Sequence, residues 1–231
     1  MRANQGCTMA IIGFLLPLMS GWDAQANSIV IANTGVGSTG TLLAPGSSDP
    51  LYPLTGSPTG SASSYVVDPD HLIGPPGPWV ADSAASEWIG PVADQSNYTT
   101  QGIFDYRMTF SLTGLNPATA IVEGNWSSDN QGVIELNGHP TGNSLGFEEF
   151  GVFSPFSITT GFVSGTNTLD FIVTNSPGGS ITSNPTGLNV EFTQASAAAS
   201  TSIAEPSTGT LIVVALTALS GLLFRRARVS K

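Results

Sequence analysis

An antiparallel all-β architecture, a β-sandwich or jelly roll, is what the residue pattern between Asn27 and Thr193 predicts, and three observations carry that reading. Apolar and polar side chains alternate with a period of two in several short runs. Turn signals built from Gly, Pro, Asn and Asp separate those runs. The 231 residues include 27 Gly and 16 Pro with only 10% charged residues, a composition that suits one β domain with terminal extensions and disfavours a helical bundle.

Taken in chain order, the first element is not part of the domain. Arg2 is the only charge before an apolar run from Met9 to Met19, and Ala24 and Ala26 place small residues at the two positions a signal peptidase reads. Residues 1–26 are therefore expected to be a secretory signal peptide cut after Ala26. The single cysteine, Cys7, precedes the apolar run, which excludes a lipoprotein route and leaves the mature chain without thiol or disulfide chemistry.

The domain is expected over 27–193. Its clearest strand is 102–112, where Phe104, Tyr106, Met108, Phe110 and Leu112 alternate with Ile103, Asp105, Arg107, Thr109 and Ser111. Shorter runs predict strands at 28–32, 64–68, 87–89, 119–126, 133–137 and 156–158, and around Leu169-Phe171-Val173 and Leu188-Val190-Phe192. Gly114, Asn116-Pro117, Asp129-Asn130, Asn137-Gly138, Gly165 and Pro177-Gly178-Gly179 mark the turns between them. Segments 40–60 and 68–78 are too rich in Gly, Pro and Ser for long strands and are expected as surface loops with room for an edge strand. Two inner faces of such strands are what a sandwich core requires.

Residues 194–203, rich in Ala, Ser and Thr, read as a flexible linker. Beyond it, Ala204-Glu205-Pro206-Ser207-Thr208-Gly209 leads into a largely apolar stretch, a helix expected over 210–224, followed by Arg225, Arg226, Arg228 and Lys231. At about 1.5 Å per residue that helix reaches a little over 20 Å against a hydrocarbon core of roughly 30 Å, so it spans only with bilayer thinning and snorkelling arginines. A basic cluster after the apolar run keeps the tail cytoplasmic and the body outside, in agreement with the leader.

The order Glu205-Pro206-Ser207, short apolar helix, Arg225-Arg226-Arg228 at the chain end resembles the PEP-CTERM sorting signal of Gram-negative bacteria. Ala204 stands where that family usually has its first proline. The resemblance implies recognition and processing of residues 204–231 by the membrane enzyme exosortase. A second resemblance lies in the body. Ser86-Glu87-Trp88-Ile89-Gly90-Pro91, Tyr106-Arg107-Met108-Thr109-Phe110, Gly124-Asn125-Trp126-Ser127-Ser128-Asp129-Asn130, Leu136-Asn137-Gly138 and Gly165-Thr166-Asn167-Thr168-Leu169-Asp170-Phe171 occur in the order found in galactose-binding-domain-like jelly rolls. That fold serves sugar-binding modules, enzyme accessories and structural units alike.

Charge narrows the partners. Residues 27–203 hold fourteen acids and one base, Arg107, so their formal charge is 1 − 14 = −13. A body without lysine cannot neutralise phosphates, which excludes nucleic acid as a partner.

Candidate sites follow from residue chemistry. Gly35-Val36-Gly37-Ser38-Thr39-Gly40 matches the spacing of a dinucleotide loop, but Thr41-Leu42-Leu43-Ala44-Pro45 after it opens no helix to hold a pyrophosphate. His71 and His139, the only histidines, lie in no nucleophile or zinc spacing. Glu148-Glu149 and Asp68/Asp70 are the carboxylate pairs nearest to a glycosidase arrangement, but they read as solvated charge. Sugar binding needs an aromatic face for a pyranose and amides or carboxylates for its hydroxyls. Trp126, Asp129, Asn130 and Asn137 are the candidates, with Trp79, Trp88 and Tyr98 as further aromatic residues. No cofactor is implied. The loops offer the oxygen ligands calcium takes, without EF-hand spacing, so a structural calcium stays open and no metal ligand is assigned.

The expected protein is thus exported and non-catalytic, a surface or extracellular-matrix component. It would pass through signal peptidase and an exosortase-like enzyme, contact the inner membrane transiently, and associate with exopolysaccharide. A polysaccharide-active enzyme, glycosidase or lyase, and a purely structural membrane-anchored protein remain as alternatives.

Overall fold

The computed structural model describes residues 26–68, 78–177 and 183–200. These residues contain twelve strands: β1 (Ala26–Ser28), β2 (Ser48–Asp49), β3 (Leu54–Gly56), β4 (Ser64–Val66), β5 (Ile89–Gly90), β6 (Gly102–Ser111), β7 (Ile121–Asp129), β8 (Gln131–Leu136), β9 (His139–Leu145), β10 (Ser154–Ile158), β11 (Thr166–Asn175) and β12 (Gly187–Ala198). They form two antiparallel sheets. One runs β10-β7-β12-β5-β4-β2 with β1 also paired to β12, and the other runs β3-β6-β11-β8-β9. The protein is an all-β sandwich.

The period of two in β6 is the reason this strand buries one face. Phe104, Tyr106, Met108 and Phe110 are buried, whereas Ile103, Thr109 and Ser111 on the alternate positions are exposed. β11 pairs with β6 from Thr166↔Ser111 to Asn175↔Gly102, which brings Leu169, Phe171 and Val173 onto the same inner face. From the facing sheet come Val122, Trp126, Phe156, Leu188 and Val190. The sheets lock at Phe171, whose ring lies 5.8 Å from Trp126 and 6.2 Å from Phe156, both contributed by the opposite sheet. Each large apolar side chain buried in this way contributes about 1.5–3 kcal/mol, so the shared cluster is the main stabilising term.

Two turn signals take forms that the residues explain. Asn137-Gly138 joins β8 to β9 with Leu136 opposite His139, and both residues have positive φ, 54° and 75°, as a two-residue type I′ hairpin requires. Asn116-Pro117 opens a 3-10 turn, Pro117–Thr119, in which the Asn116 side chain accepts from the Ala118 amide. Asp129-Asn130 is no hairpin. It is a corner at which the chain leaves β7 in one sheet and enters β8 in the other.

The structure departs from the sequence reading in four places. The expected linker 194–203 starts too early, because β12 continues to Ala198 with Gln194, Ala195 and Ser196 paired to β7 and Ser196 to Ala198 paired to β1. Small residues suit a strand flanked on both sides as well as they suit a flexible tether, and Ala197 is buried there. At the other end of the domain, regular pairing covers 26–28 and so reaches only Ser28 of the strand expected at 28–32, although the Ile29 amide still donates to the Ala195 carbonyl. Segment 40–60, expected as loops with room for one edge strand, contributes two short ones, β2 and β3. Strand β9, His139-Pro140-Thr141-Gly142-Asn143-Ser144-Leu145, went unpredicted because its only buried side chain is Leu145.

Candidate functional site

Strand β7 organises the polar chemistry of the molecule, because its inward residues build the core and its outward residues form an open face. Trp126, the candidate stacking residue, points inward, is 1% exposed and packs against Phe171, so it offers no face to a sugar ring. That expectation is corrected by the geometry. Gly132 on β8 makes room for it: a Cβ there would meet the Trp126 ring at 2.7 Å.

Asp129 and Asn130 are equally committed to the fold. The Asp129 carboxylate accepts from Trp79 Nε1 at 2.7 Å, and its backbone carbonyl accepts from the Thr186 hydroxyl at 2.5 Å. Its other oxygen, Oδ1, is buried without a partner. Burial pushes the Asp129 carboxyl up to about 6, and the Trp79 hydrogen bond pulls the other way with less effect. Asn130 Oδ1 accepts from the Ser176 amide at 3.0 Å, and its own amide donates to the Thr174 carbonyl at 3.3 Å, which ties the sheet corner to the end of β11.

Asn137 lies at the far end of β8 from Asn130. Its side chain donates to Gly161 O and to Asn167 Oδ1 and accepts from the Thr168 amide. The four candidate residues therefore do not converge on one ligand, and each is engaged in holding the sandwich together.

The remaining aromatic candidates are also structural. Trp79 and Trp88 stack at 4.2 Å and, with Val67, make a small second core on the outer side of the seven-stranded sheet. Trp88 Nε1 donates to the Val80 carbonyl, and the Val80 amide donates to the Phe150 carbonyl. Trp79 closes over Gly187, where a Cβ would meet its ring at 2.9 Å, and Asp82 reaches the Asn189 amide at 3.4 Å. Ser127 donates to the Glu149 carbonyl. These contacts explain why Ser127, Ser128, Thr186 and Asn189, polar residues on or beside β7 and β12, are buried. Tyr98 is half-buried and packs against Phe104.

Beyond this cover the outer face of the seven-stranded sheet is open. A shallow groove of about 420 Å³ runs over β10, β7 and β12, lined by Glu123, Asn125, Asn143, Pro155, Ser157 and Thr193, with Gly124 and Phe156 beneath. Pairing places Ser157 opposite Glu123 and Pro155 opposite Asn125, and Asn125 is also opposite Glu191. Ser157 Oγ donates to Glu123 Oε1 at 2.9 Å, leaving Oε2 as an acceptor. Asn143 arrives from β9 in the other sheet and donates to the Ser157 carbonyl at 3.2 Å. Asn125 presents an amide that is committed to no partner among the described residues. Glu191 is occupied instead, because its Oε1 accepts from the hydroxyls of Ser83 and Ser86.

This arrangement supplies hydroxyl, amide and carboxylate groups at fixed spacing on a sheet. The alternation of Val122, Gly124 and Trp126 inward with Glu123 and Asn125 outward was the available sequence signal for it.

The outer face of the five-stranded sheet differs in character. Arg107 grips Asp170 through Nε to Oδ1 at 2.6 Å and a terminal guanidinium nitrogen to Oδ2 at 2.9 Å, and Glu135 lies opposite Asp170 on β8. Asp105 accepts from the Thr55 hydroxyl at 2.6 Å, and burial raises its carboxyl pKa.

The other sequence candidates fall as follows. Gly35 to Gly40 form a tight loop closed by the Val36↔Leu42 bridge, and the Gly35 amide donates to the internal carboxylate of Asp49 at 2.9 Å, an arrangement that stabilises the loop itself. Glu149 binds the Gly146 amide and, with Glu148 before it, opens a 3-10 turn. His139 is exposed at the hairpin. Asp70 and His71 lie outside the described residues, as do Ala24 and the sorting residues Glu205, Pro206, Ser207, Arg225, Arg226 and Arg228. Ala26 is the first residue of β1. Among the described residues, no group of three or more His, Asp or Glu side chains is placed to hold a metal ion, and no helix is long and apolar enough to cross a membrane. The expected apolar helix 210–224 lies outside them.

No family model matches the chain, and no curated protein does. Among solved structures, it is similar to CBM35 from Paenibacillus barcinonensis, at 16% identity and a TM-score of 0.30, over 71% of this chain and 98% of that one.

Proposed function

We propose that this chain is an exported, non-catalytic surface or extracellular-matrix protein of a Gram-negative bacterium whose β-sandwich associates with exopolysaccharide. The observation that carries the reading is the groove on β10, β7 and β12, where Glu123, Asn125, Asn143 and Ser157 offer hydroxyl-binding groups on a rigid sheet. The carboxylates on these strands are partly spent on the protein itself: Glu123 accepts from Ser157 through Oε1, and Glu191 accepts from Ser83 and Ser86. Two acids facing each other across a cleft, which glycosidic cleavage needs, are not what the groove offers.

Delivery follows from the chain ends. The leader directs export, and the Glu205-Pro206-Ser207 junction, apolar stretch and arginines form the signal for an exosortase-like enzyme. Ala26 pairs with Ala198 in adjacent antiparallel strands, so the first and last described strands lie side by side at one end of the sandwich.

Two measurements test this. The intact mass of the protein recovered from the cell surface should begin at Asn27 and lack the residues that follow the Pro206 region. A full-length C-terminus, unchanged when Glu205 and Pro206 are replaced, identifies a permanent anchor instead. A glycan-binding and reducing-sugar assay should give retention without turnover. Turnover abolished by a single Glu→Gln change establishes the polysaccharide-active alternative.

A further inference from the structure

We infer that the groove over β10, β7 and β12 is the polysaccharide site and that it takes an uncharged, hydroxyl-rich polymer and rejects polyanions. This inference rests on the reading of the protein as a polysaccharide-associated one and adds the site and the class of ligand.

The site follows from which polar groups remain unspent. Most polar side chains elsewhere on β7 and β12 are used internally: Ser127 on Glu149, Ser128 on Asn130, Asn189 on Thr34 and Asp82, Glu191 on Ser83 and Ser86. In the groove, Asn125 keeps its whole amide and Glu123 keeps Oε2. Asn125 and Glu123 are two residues apart on one strand, so their side chains project from the same face about 7 Å apart. A hydroxylated chain lying along β7 meets an amide donor and acceptor, then a carboxylate acceptor. Pro155 opposite Asn125 and Thr193 on β12 bound the groove with small, partly apolar surfaces.

The ligand class follows from charge. Residues 27–203 carry fourteen acids and one base. That base, Arg107, is on the other sheet and is clamped by Asp170. No cation therefore faces the groove from its own strands, and Glu123 and Glu191 put negative charge on them. A uronate or sulfated polymer meets repulsion with no compensating ion pair, whereas a neutral polymer loses nothing.

Affinity gel electrophoresis of the full-length chain in mild detergent tests this. The probes are dextran, galactomannan and xylan as neutral polymers and polygalacturonate as the anionic one, each at low and at physiological salt. Retardation by a neutral polymer, insensitive to salt and weakened about tenfold by Asn125→Ala, supports the inference. Asn125→Asp, which keeps the shape and removes the donor, should weaken it as well, and matched melting temperatures show that both variants fold. Neutral-polymer retardation unchanged in both variants overturns the site while leaving polysaccharide association intact. Retardation by polygalacturonate overturns the ligand class. Absence of retardation by every polymer overturns the association and the inference together.

Discussion

The corner at Asp129-Asn130 and the open groove at Glu123-Asn125 belong to the same strand, within a few residues of each other, yet they carry opposite kinds of polarity. At the corner every group faces protein: the Asp129 carboxylate holds Trp79, Asn130 ties β8 to β11, and Trp126 is sealed against Phe171. In the groove the same residue types face outward, with Asn125 uncommitted. A Trp-x-x-Asp-Asn run looks like recognition chemistry because aromatic and amide groups bind sugars, but those groups also fasten two sheets where a chain crosses between them. Burial separates the two uses, and burial is set by the parity of a residue in its strand and by what covers that face.

The comparison breaks first at Trp126. If it is core, Trp126→Ala should cost about 3–5 kcal/mol of stability by chemical denaturation. A loss of polysaccharide retention with unchanged stability would return it to the surface.

Asp129 offers a sharper test because its cost depends on pH. Burial holds its carboxyl near 6 in the folded protein, against 3.8 as the ordinary value. Between those values the folded state binds more protons than the unfolded one, so this group lowers stability as pH rises from about 4 to above 6, by about 3 kcal/mol in total. Burial also raises Asp49, Asp82 and Asp105 from their ordinary values, so they act in the same sense. Asp129→Asn keeps an acceptor for Trp79 and removes the charge. Its denaturation midpoint should vary less with pH than that of the native protein, and an identical pH profile would show that Asp129 is not the buried acid.

The smallest effect belongs to the groove. Asn125→Ala should shift stability by no more than about 0.5 kcal/mol, as a half-buried side chain without internal partners among the described residues does. A larger loss, read by the same denaturation curve, would place Asn125 among the structural residues and erase the contrast.

Much of the fold was legible because period two survives wherever a strand has one wet face. β6 was read nearly to its ends, from Gly102 to Leu112, and the middle of β11 from Leu169 to Val173. The turn at Asn137-Gly138 was legible for a different reason, since that pair accepts the positive φ both residues adopt, but the sequence did not show that it closes a hairpin with β9. β9 was missed because one buried leucine in seven residues makes no pattern, and the end of β12 because small residues signal tether and tightly flanked strand alike. The candidate site was less legible. Whether Trp126 and Asp129 face inward depends on Trp79, Thr186 and Phe171, partners 50, 57 and 45 residues away in sequence, which no local pattern announces.

The position of β12 has a mechanical consequence. This strand lies between β7 and, at its far end, β1, and is the last described strand before the chain continues toward its carboxyl end. Traction on that end runs along the strand axis and loads the antiparallel rungs to β7 side by side, a shearing geometry in which many must fail together. Traction on the amino end is borne by far fewer rungs, because β1 pairs with β12 only over residues 26–28. A body held by its carboxyl end under drag would pass the load through β12 into its many rungs with β7 rather than through the few of β1.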